Sequence, residues 1–460
     1  MKRAQMLCTA VALVWSSGCD VDVTPPPGPP PSPAIDEQLR QALTPYGVVP
    51  IGPMPAQNSA QAELGRLLMF DKILSGNRDI SCATCHHPST SGTDGQSLAI
   101  GTGGSGLGAS RTLGPGRQFV PRNAPTLLNQ GLRPFYLFWD GRLEGFGAGP
   151  FRIPDGVPLS GAATNILAIQ ATLPVLNRRE MRGAAGDLDV FGNPNELAAI
   201  PDDAPSLVWQ AVMTRLLAVP EYQARFAAAF PGPAPGGLTF GHAATAIAAF
   251  ITQSWSKYDS PFDRYLSGDN TALSPEAKRG GLLFFGRAQC VTCHSGALLG
   301  GGDFANTGVP QFGPGTGSAA PLDLGRADVI IPFQGPSPGF YRFAFRTPPL
   351  RNVELTAPYM HNGAYPNLEA VVRHYSDAPT ALRTYDLGQI SPVLRDTYHG
   401  SAATITDMLS TLDFRLRSPL GLSDGDQADL VAFLKSLTDP AARDLMGLIP
   451  ASVPSGLPLH

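Results

Sequence analysis

Two short runs in the chain, Cys82-Ala83-Thr84-Cys85-His86 and Cys290-Val291-Thr292-Cys293-His294, repeat one pattern, C-x-x-C-H. This pattern limits the fold more than any other feature. It reads as covalent haem c attachment, in which two thiols add to the vinyl groups of the macrocycle and the adjacent imidazole reaches the iron from the same turn. A single copy would also suit a thioredoxin-like redox pair or half a zinc site. Two copies make coincidence poor, and the remaining cysteines, Cys8 and Cys19, lie at the N-terminus and cannot complete zinc clusters in the body of the chain. Two covalently bound haem c groups are therefore predicted.

The N-terminus points to the compartment that such attachment requires. Lys2 and Arg3 precede an apolar stretch, Met6 to Trp15, that is too short to span a bilayer and ends in Ser16-Ser17-Gly18-Cys19. Residues 1–19 are read as an export signal, and the small residues before Cys19 resemble a lipoprotein cleavage box, although Ser16 stands where an aliphatic residue is usual. Residues 20–34 form a linker in which Pro25 to Pro33 holds seven prolines in nine positions, an extended stalk. The expected location is periplasmic, with membrane attachment through a lipidated Cys19 as the favoured variant.

The body of the chain reads as a repeat of helix, haem box, loops and helix. The first copy runs from a helical pattern at Gln61 to Phe70, through Cys82 to His86, to an apolar helix from about His242 to Trp255. The second opens at Ser274-Pro275-Glu276, an N-cap followed by proline in the first turn, and closes with Ser423 to Leu437, where Leu430, Leu434 and Leu437 recur at helical spacing. Gly 51 and Pro 46 supply the loops. The predicted class is mainly α, with two cytochrome c-type haem domains and long Gly/Pro-rich loops. The N-terminal domain is assigned to residues 35–269, the C-terminal domain to 270–450 and a tail to 451–460. With 33 Lys+Arg against 37 Asp+Glu and 15% charged residues, the chain has no field for holding a polyphosphate, so nucleic acid is not expected as a partner. Gly101-Thr102-Gly103-Gly104-Ser105-Gly106 matches G-x-G-x-x-G, but lacks the strand before it and the helix after it that nucleotide binding needs. A permissive loop beside a flat haem is the preferred reading.

Together with the two haem boxes, Phe138-Trp139-Asp140-Gly141-Arg142 and Leu350-Arg351-Asn352-Val353-Glu354-Leu355-Thr356-Ala357-Pro358-Tyr359-Met360-His361-Asn362-Gly363 resemble the bacterial di-haem cytochrome c peroxidase and MauG superfamily. The likeness covers roughly Gln61 to Leu437 and implies an oxidoreductase that reduces hydrogen peroxide at its first haem. Many relatives cap that iron with a loop histidine; Thr102 stands in its place here, which implies an open iron, as in the MauG-type branch. His87, directly after the ligand His86, is expected at the surface. Gln170, Pro174 and Glu180 reproduce the family's Q-x-x-x-P-x-x-x-x-x-E pattern after an apparent insertion around Gly147 to Ala163. The resemblance makes Glu180 and Gln170 the catalytic pair for O–O cleavage, although read alone Glu180 is a loop carboxylate beside Arg178 and Arg179.

By the same resemblance Trp139 is the relay between the haems, where the bare residues would suggest core packing. The second haem is held by Cys290, Cys293 and His294. Its sixth ligand falls at Tyr375, with Met360 as the rival and a simple core tyrosine as the plainer reading. A phenolate would favour oxidised iron, a thioether reduced iron. The family also holds a calcium ion between the haems, and Asn123, Thr356 and Pro358 occupy the matching positions. Electrons would come from a small redox protein or from side chains of a protein substrate. A different class remains open at this point: a di-haem electron carrier without peroxide turnover.

Overall fold

The computed structural model describes residues 34–132, 135–145, 151–153, 162–163, 165–232, 237–331 and 335–459. The expected export signal, Cys19 and the proline-rich linker up to residue 33 lie outside these residues, as does most of the expected insertion between Gly147 and Ala163.

Helices carry the architecture, and local chemistry sets where each begins. The helix leading to the first haem box, Ser59–Phe70, starts at Asn58, whose side chain accepts the Gln61 N–H at 3.1 Å. Its counterpart, Pro275–Phe285, starts at Ser274, which accepts the Ala277 N–H at 3.2 Å. The closing helices Phe240–Ser254 and Asp424–Lys435 both begin in capping boxes, at Thr239 and Ser423. These caps satisfy amides that the helix itself leaves without a partner. The expected mainly α class and the repeated order of elements are both present.

In each half the leading helix crosses its closing helix at a glycine. A Cβ at Gly65 would lie 1.9 Å from the Ala246 carbonyl oxygen, and one at Gly280 would lie 1.9 Å from that of Asp429. The two backbones are in contact, and no larger residue fits. Leu64, Leu68, Phe226 and Phe250 pack around the first crossing. Around the second, the Phe433 ring lies 5.1 Å from Phe284, 5.2 Å from Phe262 and 5.7 Å from Phe285, edge-on or tilted. The haem boxes follow the leading helices: Cys82–Cys85 is a single helical turn behind Ser81, and Cys290–Thr292 is a 3-10 turn.

The two cores do not divide the chain at one point, in contrast to the linear division expected from the repeat. Leu39 and Leu43, on the N-terminal helix Ile35–Leu43, belong to the second core, and Leu39 lies against Gly281. Phe262 and Tyr265 also belong there, ahead of the expected boundary. At the other end, Ala442, Leu445, Val453 and Leu457 belong to the first core. Residues 451–459 are therefore a packed segment rather than a loose tail. The Ser455 hydroxyl donates to Asp71 at 2.6 Å, and the same buried carboxylate takes the Tyr222 hydroxyl at 2.7 Å. The repeat pattern could not reveal this exchange, because apolar positions alone do not say which core they enter.

Strand content is small. Tyr136–Leu137, Leu143–Gly145 and Phe151–Arg152 form an antiparallel sheet, and Trp139 sits in the turn between the first two strands. That turn needs left-handed backbone at Phe138 (φ 63°) and Gly141 (φ 65°), and a Cβ at Gly141 would lie 2.3 Å from the Phe304 ring. Among the described residues no helix is long and apolar enough to cross a membrane.

The glycine crossings give a direct test. Gly280→Ala should lower the stability of the holoprotein by about 1–3 kcal/mol, the usual cost of forcing extra volume into a packed contact. Gly447→Ala, at a position with nothing within 4 Å, should leave it nearly unchanged. Denaturant midpoints of the two variants check this.

Candidate functional site

Both haem boxes present a histidine prepared as a ligand. The His86 ring donates from Nδ1 to the Gly92 carbonyl at 3.0 Å, and the His294 ring from Nδ1 to the Leu299 carbonyl at 3.1 Å. A carbonyl can only accept, so the proton is on Nδ1 and the lone pair is on Nε2, the arrangement that orients a metal-binding imidazole. Burial lowers the pKa of both rings, that of His294 to about 4, and keeps them neutral. All four thiols of the boxes are free rather than disulfide-bonded. Among the described residues no cluster of three or more His, Cys, Asp or Glu side chains could hold a metal ion, which leaves the boxes without the further ligands of a zinc site. The donor set fits haem c in both halves.

The second box opens on a mainly apolar cavity with about 1770 Å³ of empty space, its solvent mouth included. Cys290, Cys293 and His294 line it, as do both candidate sixth ligands, Tyr375 and Met360. Tyr375 projects from the helix Leu368–Ser376, which is capped by Asn367. Burial and the neighbouring Cys293 raise its phenol pKa, against a hydrogen bond with the Thr307 side chain. Met360 lies in a loop with left-handed backbone (φ 75°).

The same cavity reaches the seam between the halves, where Trp139, Asn123, Thr356 and Pro358 border it. The Trp139 indole N–H donates to the Asn123 carbonyl at 2.9 Å, and the Asn123 N–H donates to the His361 carbonyl at 2.8 Å. The Asn123 side-chain amide donates to the Gln96 carbonyl at 2.8 Å, and the Thr356 hydroxyl to the Val353 carbonyl at 3.0 Å. Beside Asn123, Arg122 is buried between Asp140 at 2.5 Å and Asp323 at 2.7 Å, one carboxylate from each half of the chain. Burial alone would raise the pKa of Asp140, but Arg122 and Arg142 outweigh it and hold the carboxyl at about 2. His361 stacks on Phe345 with ring centroids 3.5 Å apart.

In the first half, Glu180 lies in the π-turn Arg178–Arg182, behind Asn177. It is not the solvated loop carboxylate of the plainer reading. It is half-buried, the burial it has raises its pKa, and Arg142 and Asn177 only partly offset this. Oε1 accepts the Asn177 side-chain amide at 2.8 Å. Glu180 is close enough to Cys85 to raise the thiol pKa, which brings the carboxyl to the haem box. Gln170 sits on the helix Ile166–Ala171, and among the described residues Glu180 is bonded to Asn177 rather than to it.

The glycine-rich loop supports this turn. A Cβ at Gly101 would lie 2.0 Å from the Arg179 carbonyl and 2.5 Å from that of Glu180, and the Thr102 N–H donates to the Glu180 carbonyl at 2.8 Å. The Thr102 hydroxyl in turn donates to Asp79 at 2.8 Å. His87 differs from expectation: it is 4% exposed, because the His87–Thr93 bridge folds the loop back over it, and its Nδ1 accepts the Ser89 N–H at 3.1 Å.

Sequence reasoning passed over Asp94, which faces Cys85 from the same loop. Burial pushes its pKa up to about 7; one oxygen accepts the Gln96 N–H at 2.9 Å and the other, also buried, has no hydrogen-bond partner. Thr93-Asp94-Gly95 was visible in the sequence, but only the fold turns this carboxyl inward. Arg142, the last residue of the Phe138 to Arg142 run, was likewise visible without its role beside Glu180.

Fold and site together define a c-type cytochrome with two haem-binding halves. The sequence model described as "Di-haem cytochrome c peroxidase" matches residues 59–271. The chain is 30% identical over 394 residues to the methylamine utilization protein MauG of Methylorubrum extorquens, covering 85% of this chain and 82% of that protein. It is 31% identical over 325 residues to the cytochrome c551 peroxidase of Nitrosomonas europaea, covering 71% and 75%. Among solved structures, a MauG-like protein associated with microbial copper homeostasis aligns with a TM-score of 0.56 at 27% identity, covering 88% of this chain and 95% of that one. The chain belongs to the di-haem cytochrome c peroxidase family. Membership implies two c-type haems and a peroxidase-type oxidoreductase with hydrogen peroxide as substrate and redox proteins as donors.

Arg122 supplies a test. Arg122→Met removes the partner that two buried carboxylates share, leaving Asp140 to Arg142 alone, and should cost about 3 kcal/mol at neutral pH, read from denaturant midpoints. Because Asp140 is held at about 2, below its ordinary 3.8, its pairing stabilises the wild type fully above about pH 4 and is lost as pH falls towards 2. The gap between variant and wild type should narrow as pH falls, since the variant's carboxyls protonate first, and should close towards pH 2.

Proposed function

We propose that this chain is an exported, periplasmic di-haem peroxidase of the MauG-like kind, with peroxide reduced at the first haem and oxidising equivalents held at the second. One observation carries the reading: the half-buried Glu180 carboxyl on the haem-box side of its turn, with Thr102 tied to Asp79 where a capping histidine would otherwise sit. The haem of Cys82, Cys85 and His86 supplies, when bound, the iron at which the O–O bond breaks.

The chain's own groups manage the proton. Asn177 fixes Oε1 of Glu180, leaving Oε2 to take a proton from one peroxide oxygen and return it to the departing one. A carboxyl whose pKa lies above the ordinary range keeps that proton nearer neutral pH. Gln170 assists by orienting peroxide, in keeping with its place in the family pattern. Trp139 is the relay between the halves. Its N–H donates to a backbone carbonyl, a group too weak a base to take the proton, so the indole passes electrons without losing it.

At the second haem we assign Tyr375 as sixth ligand over Met360, since its phenol lies beside Cys293 and Cys290 and is supported by Thr307. Asn123, Thr356 and Pro358 are assigned to a calcium ion at the seam: all three border one cavity, and Nδ2 of Asn123 is engaged with Gln96 while its side-chain Oδ1 remains to ligate. Donation by a small redox protein or by side chains of a protein substrate, and anchoring through a lipidated Cys19, complete the proposal.

Electron paramagnetic resonance of the oxidised protein should give one high-spin and one low-spin haem, without the sulfur-to-iron charge-transfer band in the optical spectrum; that band would put Met360 in place of Tyr375. Stopped-flow mixing with peroxide should change the haem spectrum rapidly. Glu180→Gln should slow that change about a hundredfold, within the usual range for a lost general acid–base group, with haem content unaltered. An unchanged rate would remove Glu180 from the mechanism.

A further inference from the structure

A line of redox-active rings leaves the second haem cavity. The Tyr375 ring lies 5.4 Å from His374, His374 lies 5.0 Å from Tyr365, Tyr365 lies 5.7 Å from Tyr385, and Tyr385 lies 6.1 Å from Tyr398. Tyr375 borders the cavity, Tyr365 is buried, and Tyr385 and Tyr398 are partly exposed. The end of the line is fixed as firmly as its start, since a Cβ at Gly400 would lie 2.1 Å from the Tyr398 ring. Exposed Val393, Arg395 and Asp396 precede Tyr398, so it opens on the surface.

Packing alone does not account for this choice of residues. Elsewhere the same core uses Phe262, Phe284, Phe285 and Phe433, and two tyrosines, Tyr265 and Tyr359, whose hydroxyls each bond a backbone carbonyl rather than a titratable side chain. Along this line every position carries a phenol or an imidazole. The Tyr365 hydroxyl and Nδ1 of His374 are 2.8 Å apart, and Nε2 of His374 is 2.7 Å from the Thr307 carbonyl. The carbonyl accepts, so Nε2 bears the hydrogen, and Tyr365 must donate to Nδ1. A phenol hydrogen-bonded to a neutral imidazole can lose an electron and hand over its proton along a bond already formed. The Tyr385 hydroxyl bonds the Ala364 carbonyl, next to Tyr365, and this fixes the third ring.

We propose that Tyr375, the Tyr365–His374 pair, Tyr385 and Tyr398 form a relay that carries oxidising equivalents from the second haem site to the surface at Tyr398, where an external one-electron reductant is oxidised. The relay rests on the reading of the preceding section, in which peroxide supplies the oxidising equivalents. Tyr365 gives one electron towards the second haem site and its phenolic proton to Nδ1 of His374. The imidazolium then donates from Nδ1 to the Tyr365 oxygen and from Nε2 to the Thr307 carbonyl, so neither N–H is left without an acceptor. Tyr398 restores Tyr365 with one electron through the Tyr385 ring, the proton returns from Nδ1 to Tyr365, and Tyr398 releases its own proton to water. The reductant returns one electron to Tyr398, and water returns the proton. Two such passages match the two electrons that convert one hydrogen peroxide and two protons into two waters.

The test mixes holoprotein with hydrogen peroxide and no external reductant, in the presence of the radical trap 2-methyl-2-nitrosopropane. Haem absorption is followed in the same mixture, and the trapped residues are mapped by mass spectrometry. Wild type should carry the adduct at Tyr398. Tyr365→Phe keeps the ring but breaks the bond to His374, and Tyr385→Leu removes the middle ring. Each should lower Tyr398 labelling about tenfold, with haem content and the peroxide-driven absorption change unaltered. Equal labelling of Tyr398 in wild type and both variants overturns the relay, as does haem oxidation without any label at Tyr398; either result leaves the preceding reading standing. Absence of any peroxide-driven absorption change in wild type overturns that reading, and the relay with it.

Discussion

The ion cluster at Arg122 fixes the seam on which the rest of the site depends. A guanidinium taken out of water needs compensation, and Asp140 and Asp323 supply it from opposite halves of the chain. The next residue, Asn123, then has little freedom. Its carbonyl receives the Trp139 indole and its N–H meets His361, so the central aromatic residue is located by backbone groups that the ion cluster holds. Arg326 repeats the device nearby, pairing with Glu144 across the same seam. Loops rich in glycine and proline can in this way hold a geometry as well as helices do, because buried charges leave few alternative arrangements of comparable energy.

The first half applies a second constraint, steric rather than electrostatic. Gly101 admits the backbone of Arg179 and Glu180 where any side chain would collide, and Thr102 and Asp79 fasten the loop from the other side. A string that matches a phosphate-binding fingerprint thus serves to seat a carboxylate. The same letters give different chemistry because a phosphate loop needs amides opening a helix, and these amides meet a π-turn instead.

The parts of the structure legible in the sequence are those set by short-range chemistry. Ser274 announced its helix because a cap acts within three residues, and the two haem boxes announced themselves because thiols and imidazole must lie on one turn. What escaped depends on distant partners. Leu39 and Val453 read as ordinary apolar residues, yet each enters the core of the opposite half. His87 read as a surface neighbour of the ligand until Thr93 folded back on it, and Asp94 as a loop residue until the same loop turned it towards Cys85. Glu180 was placed by a pattern shared with a family; its partial burial behind Asn177 could come only from the fold.

The exchange of chain ends bears on how the protein is made. Residues that complete the first hydrophobic core, Val453 and Leu457 among them, follow the whole of the second half in the chain. The first core therefore cannot close before the whole second half has been made. For a chain with two cofactor sites, that order couples the completion of one half to the making of the other.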